Sequence, residues 1–301
     1  MAEPWVIDAA ALTKHYGDVE AVRGLSLQVP RGSIFGFLGR NGAGKTTTVK
    51  MLLGMARPTG GQVRVFGLTA DSPGASVEIR RRTGFVGEDK DLYDYMTVDQ
   101  MIRFTSGFYP RWRRDLQKQY LETFELPLHR HVKALSRGTR TKLALLLVLC
   151  RGAELLILDE PTSGLDPAAA ESVLQALVTH VAREEMTVFF SSHQLAEVDQ
   201  IADRVAIIDA GRAVVTGALD DLRERYRRVQ LVFDGEAPAA VFRSPGVERV
   251  RRQGRVLSVL SSAGGDRVVE EARALNPLTI DVVPVSLKEI FLETIAQELE
   301  A

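Results

Sequence analysis

The sequence predicts an α/β fold, and three observations predict it. A buried-strand pattern, Ser33–Leu38, runs into a glycine-rich loop and then into helical spacing from Lys45. Two further apolar runs of strand length, Leu155–Leu158 and Thr187–Phe190, flank a stretch with apolar residues on one helical face. Between them and the first strand lies a long segment, 93–150, whose apolar residues recur at helical intervals. Strands that alternate with amphipathic helices need a sheet with helices laid against it to bury both kinds of apolar face.

Each element has its own signal. From Trp5 to Phe37, alternation and turn signals at Gly17-Asp18 and Pro30-Arg31-Gly32 predict short antiparallel strands. A helix follows from Lys45 to about Gly54, where glycine stops it. Pro58-Thr59-Gly60-Gly61 is a turn, and Gln62–Phe66 alternates as another strand. Thr97 with Gln100 three residues on is a capping-box start, and Leu116, Tyr120, Leu121 and Phe124 form a packed helical stripe. Asp166-Pro167 opens the next helix, since Asp166 can cap it and proline suits a first turn. Val173, Leu174, Leu177, Val178 and Val181 share one face of it. Val205–Asp209, Ala210-Gly211 and Arg212–Val215 read as a hairpin.

Composition shifts at Asp220–Arg228, a charged helical connector. Strands at Val229–Phe233, Arg255–Leu260 and Thr279–Val283 follow, with a helix near Val268–Leu275. A last helix starts at Ser286, where Glu289 completes a capping box. We therefore expect a first domain over 1–225, with a helical subdomain at about 93–150, and a small α/β domain over 226–301.

At 301 residues, 45% of them apolar, the chain is long enough for a sizeable core without disulfides. Its one cysteine, Cys150, forbids an internal disulfide and lies in an apolar run, as a small buried hydrophobe would. A net charge of −1 offers no positive field, so no nucleic-acid partner is expected. Arg80–Arg82 and Arg111–Arg114 read as solvated faces. The start of the chain lacks the pattern of a signal peptide. The longest apolar run, Leu143–Cys150, is far short of the roughly 20 residues that span a bilayer. A transport role would have to borrow its pore from another chain.

Gly39-Arg40-Asn41-Gly42-Ala43-Gly44-Lys45-Thr46 fits G-x-x-x-x-G-K-[ST]. Glycines at that spacing let the main chain curl so that several N–H groups face one anion. The helix that follows adds the positive end of its dipole. Lys45 then reaches the β and γ phosphates, and Thr46 is placed to ligate Mg²⁺. The motif alone says only nucleotide binding.

Later segments narrow it. Leu135-Ser136-Arg137-Gly138-Thr139 resembles the signature loop of the ATP-binding-cassette (ABC) family, and Leu155 to Asp166 resembles its Walker B strand and D-loop. Phe189-Phe190-Ser191-Ser192-His193 looks like the strand that ends in the switch histidine, and Thr83–Glu88 occupies the Q-loop position. Tyr16 stands where the family places an adenine-stacking aromatic, although an ordinary edge-strand aromatic would look the same. The resemblance covers about Trp5 to Gly217, in the family's order.

It implies a P-loop core of ABC type: a RecA-like mixed sheet, an antiparallel β subdomain and an α-helical subdomain, with the small domain added. It implies ATP as ligand, contacted by Tyr16, Gly39, Asn41, Gly42, Ala43, Gly44, Lys45, Thr46 and Thr47. Magnesium would rest on Thr46, Asp159 and Glu88. Glu160 would take a proton from the attacking water, with Lys45 and His193 stabilising charge on the phosphate. Ser136 and Gly138 would reach the nucleotide of a second ATPase subunit, in a homo- or heterodimer. His129 and His131, an H-x-H with no further ligand nearby, read as surface.

Two departures stand out: Arg137 and Thr139 replace glycine and glutamine in the signature, and Glu88 replaces the Q-loop glutamine. Those residues, with Tyr93–Thr97 and Phe108–Trp112, are similar to the export-type, YtrB-like branch served by ABC-2-like permeases. Such a chain would sit in the cytoplasm, peripheral on the inner membrane face, and hydrolyse ATP to drive the permease. A soluble regulatory or resistance ATPase acting on ribosome or DNA is the competing reading. Its ribosomal members resemble two fused cassettes and its DNA-repair members carry long coiled coils, and neither pattern is present. A phosphotransferase would leave the signature loop unexplained.

Overall fold

The long hairpin of β1 (Trp5–Tyr16) and β2 (Val19–Pro30) opens the chain, turning at Gly17 with φ 57°. These strands are longer than the sequence predicts. The cause is a bulge: the register shifts between Ala9 and Leu12, and Ala11 takes φ 49°. The bulge resets the alternation, so Val6, Ile7, Ala9 and Leu12 are all buried although they do not alternate strictly. β4 (Gly60–Val65) and β5 (Leu68–Thr69) complete an antiparallel sheet in the order β2-β1-β4-β5.

β3 (Ile34–Gly39) is buried at every residue and forms the centre of a second, mixed sheet. Its other strands are β6 (Thr83–Val86), β7 (Leu155–Asp159), β8 (Thr187–Ser192), β9 (Arg204–Asp209) and β10 (Arg212–Ala218), in the order β10-β9-β3-β8-β7-β6. β3, β6, β7, β8 and β9 run parallel. Parallel strands are covered on both faces, which is why β7 and β8 are also buried throughout. One apolar core joins the antiparallel sheet, α1 (Lys45–Leu52) and residues such as Phe35, Phe37 and Phe189 of the mixed sheet.

α2 (Pro73–Arg82) lies between β5 and β6, where Pro73-Gly74 signals a turn and conceals the helix. Its arginines are not all solvated, contrary to expectation. Arg80 donates to the Leu53 carbonyl at 3.0 Å, and Arg82 makes two bonds of 2.7 Å to Glu154 while its guanidinium covers the Phe66 ring at 3.9 Å. Long stems let arginine lie along apolar surface while its head finds a carbonyl or carboxylate. The helical segment holds α3 (Val98–Ser106), α4 (Arg114–Thr123) and α5 (Arg137–Leu149). Both capping-box bonds of Thr97 and Gln100 form. Tyr120 and Phe124 stack in the core at 5.3 Å. α6 (Pro167–Glu184) starts with the Ala169 N–H on the Asp166 carboxylate, and α7 (Leu195–Ile201) precedes β9.

The structure, a computed structural model, describes residues 5–184, 186–263 and 265–292, and it divides into two compact units after Thr216. The charged helix α8 (Leu219–Arg225) therefore groups with the second unit, whereas the sequence reading ran the first domain to 225. Its Leu219 and Leu222 are buried. That unit is an antiparallel sheet in the order β12-β13-β11-β14, from β11 (Arg227–Val232), β12 (Val247–Gln253), β13 (Val256–Ser261) and β14 (Thr279–Pro284). α9 (Asp266–Arg273) buries Val268 and Ala272 against Val229, Leu231 and Val259. β12 is absent from the sequence reading because four of its seven residues, Glu248, Arg249, Arg251 and Arg252, are charged and only two are apolar. The capping bonds between Ser286 and Glu289 form, and the helix they open is described through residue 292. Cys150 is buried, and burial pushes its thiol up to about 12.

Candidate active site

Strand register brings the functional groups together. Phe37 of β3 pairs with Ser191 of β8, and Ser191 pairs with Asp159 of β7, so three parallel strands end at one level. The chain leaves each of them at the same edge, which is where an open α/β sheet offers a crevice to ligands. Beyond β3 comes the glycine-rich loop, beyond β7 comes Glu160, and beyond β8 comes His193.

The loop closes tightly onto α1. Gly44 precedes the helix with φ 100°, and a Cβ there would fall 2.5 Å from the Ala21 carbonyl. Only glycine fits on both counts. A cavity of about 500 Å³ opens over the loop. Asn41, Gly42, Gly44, Lys45, Thr46 and Thr47 line it on one side, and Glu88, Glu160 and His193 on another. Gly39 and Ala43 are not among its lining residues: Gly39 packs against Ile208, and Ala43 is buried. Tyr16 does not line it either. It ends β1 half exposed, with the Lys14 amine 4.8 Å from its ring centroid.

A chain of contacts crosses the cavity floor. The Lys45 amine donates to the Gly39 carbonyl at 2.8 Å and pairs with Glu160 Oε1 at 3.0 Å. The other carboxylate oxygen of Glu160 lies 2.7 Å from His193 Nδ1. Lys45 and Glu160 are almost fully buried, so their charges meet with little solvent to screen them. Glu160 adopts φ 50°, a left-handed conformation that costs a residue with a Cβ about 1–2 kcal/mol. Its N–H donates to Ser191 Oγ at 3.0 Å, and the same hydroxyl donates to Asp159 Oδ1 at 2.5 Å. Ser191 thus holds both acids, a role the sequence did not signal beyond its place at a strand end.

Thr46, Glu88 and Asp159 line an adjoining cavity together, giving one hydroxyl and two carboxylates. Among the described residues no three His, Cys, Asp or Glu side chains converge as a metal site. Magnesium asks for less, because it takes one or two carboxylates and fills its octahedron with phosphate oxygens and water. The donors present fit that ion.

Ser136 caps α5, accepting from the Thr139 N–H at 3.1 Å and bonding the Thr139 hydroxyl at 2.8 Å. The helix starts at Arg137, so Gly138 lies in its first turn. Neither residue lines the cavity over the glycine-rich loop. Arg137 packs on the loop after β7: a Cβ on Gly164, which has φ 71°, would fall 2.5 Å from its guanidinium. One further group escapes the sequence reading. Lys90 is buried, and its amine donates to the Glu160 carbonyl at 3.1 Å. Burial pushes this amine below its ordinary value, against the pull of Glu88, Glu160 and Asp159.

Comparison with known proteins agrees with this geometry. The family model described as ABC transporter matches residues 22–163, and an AAA-domain model matches 130–199. The bacitracin transport ATP-binding protein BcrA of Bacillus licheniformis is 32% identical over 299 residues, covering 96% of this chain and 97% of its own. The ABC transporter ATP-binding protein YtrB of Bacillus subtilis is 25% identical, covering 95% and 97%. The Nod factor export ATP-binding protein I of Neorhizobium galegae is 31% identical, covering 99% and 87%. The fold matches a dimeric structure of the ATP-binding cassette MJ0796 bound to ADP and Pi, with a TM-score of 0.64 over 71% of this chain and 98% of that one, at 20% identity. With the glycine-rich loop, Asp159, Glu160 and His193 at one sheet edge, this chain belongs to the ABC transporter ATP-binding family, and it is an ATPase.

Proposed function

We propose that the chain hydrolyses MgATP at the cavity over Lys45 and passes the resulting motion to a separate membrane permease. The Lys45–Glu160–His193 chain of contacts carries this reading. It places a cation, a buried carboxylate and an imidazole at the mouth of a phosphate loop. The triphosphate draws Lys45 from Glu160 toward the β and γ phosphates, while loop N–H groups and the α1 dipole hold the anion. Thr46 and Asp159 would hold magnesium, with Glu88 beside them, and the ion would supply neutralisation of the phosphate charge. Glu160, released from Lys45, accepts a proton from the attacking water. His193 donates to the γ-phosphate, and the Glu160 carboxylate fixes its ring. Tyr16 stacks on the adenine from the end of β1, outside the phosphate cavity.

A second subunit completes the site. Ser136 and Gly138 stand at a helix N-terminus that does not line this chain's own cavity, so they serve the nucleotide of a facing chain. MJ0796 is dimeric with nucleotide bound. No described helix is long and apolar enough to cross a membrane, and we assign the pore to a partner. Exposed rings of Tyr93, Tyr95, Phe104 and Phe108 form a ladder with centroids 5.1–5.7 Å apart beside the loop that carries Glu88. We read this ladder as the docking surface for an ABC-2-like permease, with the chain peripheral on the cytoplasmic membrane face. Its relatives' names include bacitracin transport and Nod factor export, which favours export. The second unit, 217–301, is an accessory domain to the ATPase.

Glu160→Gln tests the reading. It keeps ATP affinity and lowers turnover about a thousandfold, the size of a lost general base. Turnover at the wild-type rate removes Glu160 from that role.

A further inference from the structure

Lys90 lies in Glu88-Asp89-Lys90-Asp91, which looks like a solvated run of charge, yet its side chain is 8% exposed. The carbonyl it holds, at 3.1 Å, belongs to Glu160, whose φ of 50° sets the direction of the carboxylate. Lys90 is itself left-handed, with φ 47°, and its N–H closes a turn on the Gly87 carbonyl at 3.3 Å. The loop is then tied to α5. Arg140 donates to the Lys90 carbonyl at 3.4 Å and to the Leu92 carbonyl at 3.3 Å, and it pairs with Asp94 at 2.7 Å. Arg140 stands one turn beyond Ser136 on that helix.

Glu88, Lys90 and Asp159 line one cavity. Burial pushes the amine below its ordinary value, while Glu88, Glu160 and Asp159 favour its charged form and Arg137 opposes them. A neutral glutamine at position 88 would need no cation. An acid there adds a third negative charge beside Asp159, Glu160 and the incoming phosphates. A buried lysine two residues on offsets part of that charge and, through its bond, fixes the Glu160 peptide.

We propose that Lys90 is a positioning residue for ATP hydrolysis, balancing Glu88 and clamping the main chain of Glu160 so that this loop, the general base and α5 move as one. The inference rests on the role of Glu160 given above.

The test is a double-mutant cycle on the full chain, measured as kcat and KM for MgATP. Lys90→Met is expected to lower kcat about tenfold, the scale of losing an outer-shell partner, with KM changed less than about threefold. The loss is expected to be smaller in a Glu88→Gln background, where no excess charge is left behind. A kcat within about twofold of wild type, a loss carried by KM, or an equal loss in both backgrounds overturns the proposal. Should Lys90→Met fail to fold, Lys90→Gln repeats the cycle, since it removes the charge and keeps an N–H donor, on a stem one atom shorter. Glu160→Gln in parallel separates two failures. If it retains turnover, the role of Glu160 falls. If it loses turnover while Lys90→Met does not, only the present inference falls.

Discussion

The mixed sheet of the first unit and the antiparallel sheet of the second put their polar groups in different places. β3, β7 and β8 are covered on both faces, so polar side chains gather where those strands end: Asp159, Glu160, Ser191 and His193. In the second unit one face packs on α9, and β12 and β11 carry arginines along their length, as at Arg228, Arg249 and Arg251. A charged residue at the end of a doubly covered strand has no structural duty to explain it and therefore points to chemistry. A charged residue on a half-covered strand is already explained by the alternation of its pleat.

If the contrast is sound, damage to the second core leaves nucleotide binding alone. Leu231→Ala removes a fully buried side chain and should destabilise the second unit by about 2–4 kcal/mol, read by denaturant unfolding. Affinity for MgATP should stay within about twofold, an energy of less than about 0.5 kcal/mol. A parallel loss of affinity would break the comparison.

A smaller effect sharpens it inside the first unit, away from the cavity. Arg82 holds Glu154 below its ordinary 4.5 by a hydrogen-bonded pair, and both are partly exposed. Arg82→Ala should cost about 1 kcal/mol or less near neutral pH, after solvent screening. The sign follows from the depressed carboxylate. Its contribution is complete above 4.5 and is lost as pH falls through the lower folded value. The stability gap between wild type and variant, followed by thermal melts, should therefore narrow below pH 4.5. A gap that widens there contradicts the assignment.

What could be read in advance divides along the same line. The placement of the glycine-rich loop, Asp159, Glu160 and His193 is legible because each follows an apolar run that has to be a buried strand. Both capping boxes are legible because Thr97 and Ser286 satisfy the same bonds wherever they occur. Lys90 is not, since a lysine between two aspartates reads as surface, and only the fold shows the Glu160 carbonyl beneath it. Arg80 and Arg82 mislead for a related reason: their stems reach back to Leu53 and Glu154, which are distant in sequence. α2 and β12 are missed because few apolar residues mark them, and tertiary contacts decide their form.

The central claim is that a triphosphate is held by the loop before α1 and by the amine that now rests on Glu160. Calorimetric titration of wild type and Lys45→Ala with MgATP tests it most directly. The account predicts saturable binding to wild type and affinity weaker by about a hundredfold or more in the variant, the loss of a buried charged contact to phosphate. Equal affinity in the two chains would contradict it.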